Sequence, residues 1–243
     1  MTDATAAPIH IPPRKPRTPQ AKYIRSIVYG GLDGTITTFA IVAGVSGAHL
    51  SSQILLILGV ANLIADGVSM AFGDFLSTAA EQEYRDAERR YEAWELYHRP
   101  EHEKKEIITF YREKGMSKKD AQQLADIFFK YPQSTLDLMM IEEHGILPNQ
   151  ASAWKNALYT FGAFVVFGFV PVLTYVIDFF AHDVVYTFFI ASMLTGITLF
   201  VLGALKTRIT GVAWFRAGLK MLLVGGFAAA LSYSIGALLA MLL

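Results

Sequence analysis

Long apolar stretches separated by short polar connections occupy most of this chain. A helix needs about 20 consecutive, mostly apolar residues to cross a bilayer, and five stretches meet that requirement. They lie at about 27–48, 54–76, 157–177, 184–205 and 212–243. Pro171 is expected to kink the third stretch, because proline removes a backbone donor from a helix. The pattern therefore predicts an all-α integral membrane protein with five transmembrane helices.

A polar insertion separates the second and third apolar stretches, and it holds 15 of the 21 acidic residues. Proline and glycine breaks divide it into runs that read as helices, at about 79–98, 101–115, 117–130 and 133–144. The second transmembrane helix is expected to continue into the first of these runs, since neither glycine nor proline interrupts 76–99. The predicted division is a disordered basic arm at 1–22, transmembrane helices 1–2 at 23–78, the helical insertion at 79–150 and transmembrane helices 3–5 at 151–243.

Lysine and arginine are concentrated at one side of the predicted bundle. The arm before the first helix is basic, and the connection between the fourth and fifth helices carries Lys206 and Arg208. The loop between the first two helices and the C-terminus carry neither residue type. Short basic loops stay in the cytosol. This predicts a cytosolic N-terminus, a cytosolic insertion and a C-terminus on the far side.

Composition excludes several functional classes. Charged residues make up 17% of the chain, against about 25% in a typical soluble domain, and 53% is hydrophobic with a mean hydropathy of +0.37. The net charge is zero and no basic block is present, which argues against nucleic acid as a partner. The chain has no cysteine, so any metal ligands must be carboxylate, histidine, methionine or backbone oxygen. Enzyme and nucleotide motifs are missing, and we expect neither catalysis nor a prosthetic group.

Polar residues inside two of the predicted spans point to ion handling. Asp33 lies in the middle of the first span, where a carboxylate costs a few kcal/mol and needs a partner or a wet cavity. The second span places polar and thioether groups four residues apart, on one stripe of the helix. These are Asn62, Asp66, Met70 and Asp74. Oxygen ligands with a thioether suit Fe²⁺ better than Mg²⁺ or Ca²⁺.

The insertion repeats this ligand chemistry. Glu92 and Glu95 lie three residues apart, as do Glu103 and Glu106, so each pair shares a helix face. Several acids lack a lysine or arginine four residues further on and are expected to be free for a cation: Glu92, Glu103, Glu106, Glu142 and Glu143. Met139 and Met140 lie about one turn before Glu143. Together these residues suggest a carboxylate and thioether metal site, which His98 and His102 either join or leave for solvent.

Several ordered motifs then resemble the vacuolar iron transporter family. They are Tyr29-Gly-Gly-Leu-Asp-Gly34, Ala43-Gly-Val-Ser-Gly47, Asp66-Gly-Val-Ser-Met-Ala-Phe-Gly-Asp-Phe-Leu-Ser77 and Leu136-Asp-Leu-Met-Met-Ile-Glu-Glu143. The resemblance implies a homodimer whose ion path lies between the first two spans of the two protomers. It assigns intramembrane ion handling to Asp33 and Met70. It assigns cytosolic metal binding to Glu92, Glu95, Glu103, Glu106, Met139, Met140 and Glu143.

One position departs from the family pattern. Some members have a glutamate where this chain has Asn62, and Asp66, one turn further on, is placed to supply the missing charge. The resemblance implies export of Fe²⁺, and also of Mn²⁺, from the cytosol into a vacuole-like compartment in exchange for protons. The same ligands accept Zn²⁺ and Co²⁺, and a bacterial plasma membrane would give the same sequence pattern. A passive divalent-metal channel and a metal-sensing membrane protein without flux are the alternatives.

Overall fold

The computed structural model describes residues 23–147, 152–181, 186–210 and 213–242. The arm at 1–22, which the sequence predicts to be disordered, lies outside these residues. The described residues are almost entirely helical and contain no strand. In chain order the helices are α1 (Ile24–Gly47), α2 (Ser52–His98), α3 (Pro100–Glu113), α4 (Lys118–Phe128), α5 (Pro132–Glu142), α6 (Ala153–Gly168), α7 (Val170–Ala181), α8 (Thr187–Thr210) and α9 (Trp214–Leu242).

Four of these helices are long and apolar enough to cross a bilayer, namely α1, α2, α8 and α9. The pair α6 and α7 meets the same test only when its two helices are taken together, and it bends by 48° at the break. Pro171 lies at the start of α7 and has no N–H to continue the helix, which explains a bend at the predicted position. The described chain thus has four candidate spans, or five if the bent pair is one span, and it is a multi-pass membrane protein.

Helix α2 is 47 residues long, which corresponds to about 70 Å at 1.5 Å per residue. This is about twice the hydrocarbon thickness of a bilayer. The expected continuation of the second apolar helix into the polar insertion is therefore confirmed. The other predicted runs of the insertion are observed as α3, α4 and α5. Their common core includes Ile107, Ala125 and Met139, all fully buried.

Within the membrane bundle, α1 packs against α6, α9, α2 and α8. Glycines allow the closest of these approaches, because a residue without a Cβ atom lets a neighbouring helix backbone pack directly against its own. A Cβ atom on Gly34 would overlap the backbone of Phe164 in α6, and one on Gly236 would overlap the carbonyl of Gly44 in α1. Asp33 lies in the first half of α1 and is half-buried.

Gly236→Ala is expected to destabilise the bundle, because the added methyl meets the rigid backbone of α1 at Gly44. Overpacking of this kind costs roughly 1–3 kcal/mol. We expect a lower melting temperature for the detergent-solubilised protein in a thermal unfolding assay. Gly226→Ala is the matched control on the same helix, since no atom lies within 4 Å of its added methyl. Equal melting temperatures for the two variants would contradict this packing.

Candidate metal centre

Three segments of the insertion bring acidic side chains together. Glu92 comes from the polar part of α2, Glu103 comes from α3, and Glu143 with His144 follows the end of α5. The side chains of Glu92 and Glu103 are 0% and 1% exposed. Charged side chains are rarely buried this completely unless they are paired or bind a metal. The convergence of acids on a buried position is the defining feature of the site.

The first ligand group consists of Glu92, Glu143 and His144, whose nearest nitrogen and oxygen atoms all lie within 4.8 Å of one another. His144 Nε2 lies 3.2 Å from Glu92 Oε2. Helix α5 ends just before this group, and Gly145 follows it with a φ of +65°, a conformation that favours glycine. The backbone N–H of Ile146 donates to the carbonyl of Met140 at 2.8 Å and closes the turn.

The second ligand group lies on α3 and consists of His102, Glu103 and Glu106. His102 Nδ1 is 3.5 Å from Glu103 Oε1 and 3.7 Å from Glu106 Oε1. Both carboxylate oxygens of Glu103 and Oε1 of Glu92 are buried, and no described residue donates a hydrogen bond to them. Buried oxygens without donors are costly unless a cation or a proton occupies the space between them.

The electrostatics of the site favour uptake of positive charge. Burial, followed by the nearby charge of Glu92, raises the pKa of Glu103 to about 7. Burial is also the main reason that the pKa values of Glu92 and Glu143 are raised. Burial alone would lower the pKa of His144, but its bond to Glu92 and the charges of Glu143 and Glu92 together raise it. Protons and metal ions therefore compete for the same groups.

Glu95, Met139 and Met140 are the remaining predicted ligands of the insertion. Glu95 forms an ion pair with Arg99 at 3.3 Å, and its charge also acts on Glu143. Met139 is fully buried in the hydrophobic core, and Met140 is 4% exposed. The structure thus places both methionines inside the insertion rather than on its surface.

Glu142 was expected to have no basic partner, but the structure gives it one. Glu142 forms an ion pair with Lys114, which follows α3, so the expectation for this residue was wrong. Spacing along one helix cannot reveal a partner from another helix. Of the two histidines left open, His102 belongs to the second group, whereas His98 stacks on Trp94 and its Nδ1 lies 2.8 Å from the Trp94 carbonyl oxygen.

His144 is the residue that the sequence interpretation missed. Its position directly after Glu142 and Glu143, and before a glycine that ends α5, was the available indication. Its contact with Glu92, 52 residues earlier, depends on tertiary structure alone.

The membrane bundle contains a second set of polar residues. The charge of Asp66 on α2 acts on Asp33 on α1, so the two predicted acids lie within electrostatic range of each other. Asn62 and Met70 lie one turn on either side of Asp66, and all four side chains are half-buried. Asp74, at the end of this stripe, accepts hydrogen bonds from the hydroxyls of Ser26 at 3.0 Å and Thr160 at 2.5 Å. Asp74 therefore joins α2 to α1 and α6.

Comparison with known proteins identifies relatives of this chain. The model of the VIT family matches residues 24–237. A vacuolar iron transporter of Toxoplasma gondii is 39% identical over 224 residues, covering 89% of this chain and 74% of the relative. Similar proteins in Plasmodium berghei and Arabidopsis thaliana, a vacuolar iron transporter and vacuolar iron transporter 1, are 36% and 32% identical. They match 89% and 86% of this chain and 82% and 83% of their own lengths. The match includes the long helices that carry Asp33 and Asp66 and the acidic insertion between them and the later helices. This chain therefore belongs to the VIT family.

Proposed function

We propose that this protein is a secondary transporter that moves Fe²⁺, and also Mn²⁺, out of the cytosol into a vacuole-like compartment in exchange for protons. The observation that carries the proposal is that Asp33 and Asp66 lie within electrostatic range of each other on two helices that are long and apolar enough to span a membrane. The names of the relatives, vacuolar iron transporters, support iron as the substrate and the vacuolar membrane as the location.

The exchange follows from the electrostatics of two carboxylates at low dielectric constant. Two neighbouring negative charges inside a membrane repel each other strongly and need neutralisation by a divalent ion or by protons. A metal ion that enters expels the protons, and protons that return expel the metal. Asn62 and Met70, one turn away from Asp66, would add an amide oxygen and a thioether to the ion's ligands. This set favours Fe²⁺ over the alkaline-earth ions.

The position of these groups supports a homodimer. Asp33, Asn62, Asp66 and Met70 are half-buried in a single chain, and a carboxylate that faced lipid would cost several kcal/mol. A second copy packed on the α1 and α2 surface would cover them and complete the ion path between the two protomers. The bent pair of α6 and α7 would then act as the third of five spans, with the N-terminus and the insertion in the cytosol and the C-terminus in the lumen.

The insertion, residues 79–150, would collect ions at the cytosolic entrance. Its two ligand groups, with Glu95, Met139 and Met140 around them, would raise the local metal concentration at the end of α2. A cluster of negative charge accelerates the arrival of cations. Because α2 is continuous from Asp66 to Glu92, the collecting site and the membrane path lie on one rigid helix.

Uptake of Fe²⁺ into proteoliposomes with an acidic lumen tests the transport function. The proposal predicts metal accumulation in vesicles that contain the protein and only background in empty vesicles. A metal sensor without flux is the second candidate. It is favoured by the buried carboxylate oxygens of Glu92 and Glu103, which lack hydrogen-bond donors and could hold a metal ion without any transport. Tight metal binding by the detergent-solubilised protein without any uptake would contradict the transporter and support the sensor.

A further inference from the structure

We propose that His144 is a nitrogen ligand of the cytosolic metal centre and makes this centre prefer transition-metal ions over Ca²⁺ and Mg²⁺. The inference rests on the proposed function, because it names the residue that selects the ion at the collecting site. The family resemblance assigns carboxylates and thioethers to this site. The imidazole comes only from the structure of this chain.

The geometry places the imidazole in contact with a buried carboxylate. Nε2 of His144 is 3.2 Å from Oε2 of Glu92, and the side chains are 21% and 0% exposed. Oε1 of Glu92 has no hydrogen-bond donor among the described residues, so this carboxylate has a free coordinating oxygen. The ligand atoms of Glu92, Glu143 and His144 lie within 4.8 Å of one another. Ligand atoms about 2.1 Å from a tetrahedral ion lie about 3.4 Å apart, so side-chain shifts of about 1 Å would close the site.

The local fold holds this histidine in place. Gly145 takes a φ of +65°, and the N–H of Ile146 donates to the carbonyl of Met140, so the chain turns directly after His144. This turn directs the imidazole towards α2 instead of letting it continue along α5. A ligand on a fixed backbone loses less entropy on metal binding than one on a flexible loop.

The ligand type decides which ions the site prefers. Ca²⁺ and Mg²⁺ take oxygen ligands almost exclusively, whereas Zn²⁺, Fe²⁺ and Co²⁺ bind imidazole well. A centre made only of glutamates would bind all of these ions through the same oxygens. One imidazole adds affinity for the transition ions alone, so it separates the two classes without any change in the carboxylates.

His98 provides the matched control for this proposal. It is also a histidine of the insertion, but its ring stacks on Trp94 at 4.5 Å and its Nδ1 faces the Trp94 carbonyl oxygen. It belongs to neither ligand group. His98→Gln therefore removes an imidazole from the insertion without removing a proposed ligand.

Titration of the full-length protein in detergent with Zn²⁺ and, separately, with Ca²⁺ tests the inference. His144→Gln is expected to weaken Zn²⁺ binding by at least about tenfold and to leave Ca²⁺ binding within about twofold. His98→Gln is expected to leave both affinities unchanged. Equal loss of Zn²⁺ and Ca²⁺ affinity in His144→Gln would overturn the inference, because it would indicate a structural role for the bond to Glu92. An unchanged Zn²⁺ affinity would overturn it as well.

X-ray absorption at the zinc edge keeps the test independent of how well His144→Gln folds. The variant H98Q/H102Q retains His144 as the remaining histidine of the insertion. With one equivalent of Zn²⁺ it is expected to show the multiple scattering of an imidazole ligand, and a spectrum with oxygen ligands only would refute the proposal. The outcome for transport is separate: absence of Fe²⁺ uptake by the unmodified protein would reject the proposed function, whereas the ligand assignment depends on these binding data.

Discussion

Asp33→Asn is expected to reduce Fe²⁺ uptake into proteoliposomes to the level of empty vesicles while metal binding by the insertion stays unchanged. Asparagine has nearly the same shape as aspartate but carries no charge. The neighbouring pair with Asp66 would lose half of its negative charge, together with the group that alternates between metal and proton. A loss of one ion-binding carboxylate at low dielectric is expected to slow transport on the order of 100-fold or more.

Two measurements on one preparation separate a loss of transport from a loss of metal binding. Uptake is measured in vesicles, and Zn²⁺ binding is measured by calorimetry on the same protein in detergent. Asp178→Asn is the control, because it removes an acid from α7, outside the α1 and α2 pair. Uptake at the unmodified rate in Asp33→Asn would contradict the assigned role. A joint loss of uptake and binding would refute the separation between membrane path and collecting site.

Without metal, the stability of the protein is expected to fall as pH rises from about 5 to about 8. Glu103 has a pKa of about 7 in the folded protein against an ordinary value of 4.5, so folding takes up a proton between these values. This stabilisation is complete below about pH 4.5 and is lost as pH rises through 7. Its size is on the order of 3 kcal/mol. The raised pKa values of Glu92, Glu143 and His144 act in the same direction.

Bound metal is expected to reverse this trend. An ion takes the place of the protons, so its stabilising effect grows as the carboxylates lose their protons above about pH 7. The measurement is a series of thermal unfolding curves at fixed ionic strength, with and without Zn²⁺. Glu103→Gln should flatten the metal-free curve, whereas Glu113→Gln, an exposed acid on the same helix, should leave it unchanged. Metal-free stability that rises with pH would contradict the buried acidic site.

The sequence predicted those parts of the fold that depend on local pattern. The lengths of the apolar stretches predicted the membrane helices, and the run without glycine or proline at 76–99 predicted the continuous α2. Pro171 predicted the bend between α6 and α7. The described helices are compatible with the predicted count of five spans only if this bent pair crosses the membrane as one. Orientation and domain division stay predictions, since they depend on the membrane itself.

The site was predictable as far as partners lie on the same helix. Missing lysine or arginine neighbours singled out Glu92 and Glu103, and the structure finds both buried with oxygens that lack donors. The same rule failed for Glu142, whose partner Lys114 comes from another part of the chain. Spacing alone also could not assign the hydrogen bonds of Asp74 to Ser26 and Thr160, because these contacts exist only after the helices pack.

The central claim is that metal and protons exchange through one pathway, and one experiment tests it most directly. Fe²⁺ uptake and internal pH are recorded together in proteoliposomes, with and without an acidic lumen. The account predicts that uptake requires the acidic lumen and that each increment of Fe²⁺ raises the internal pH. Uptake at the same rate without a proton gradient, and with no change in internal pH, would contradict the exchanger and identify a passive channel.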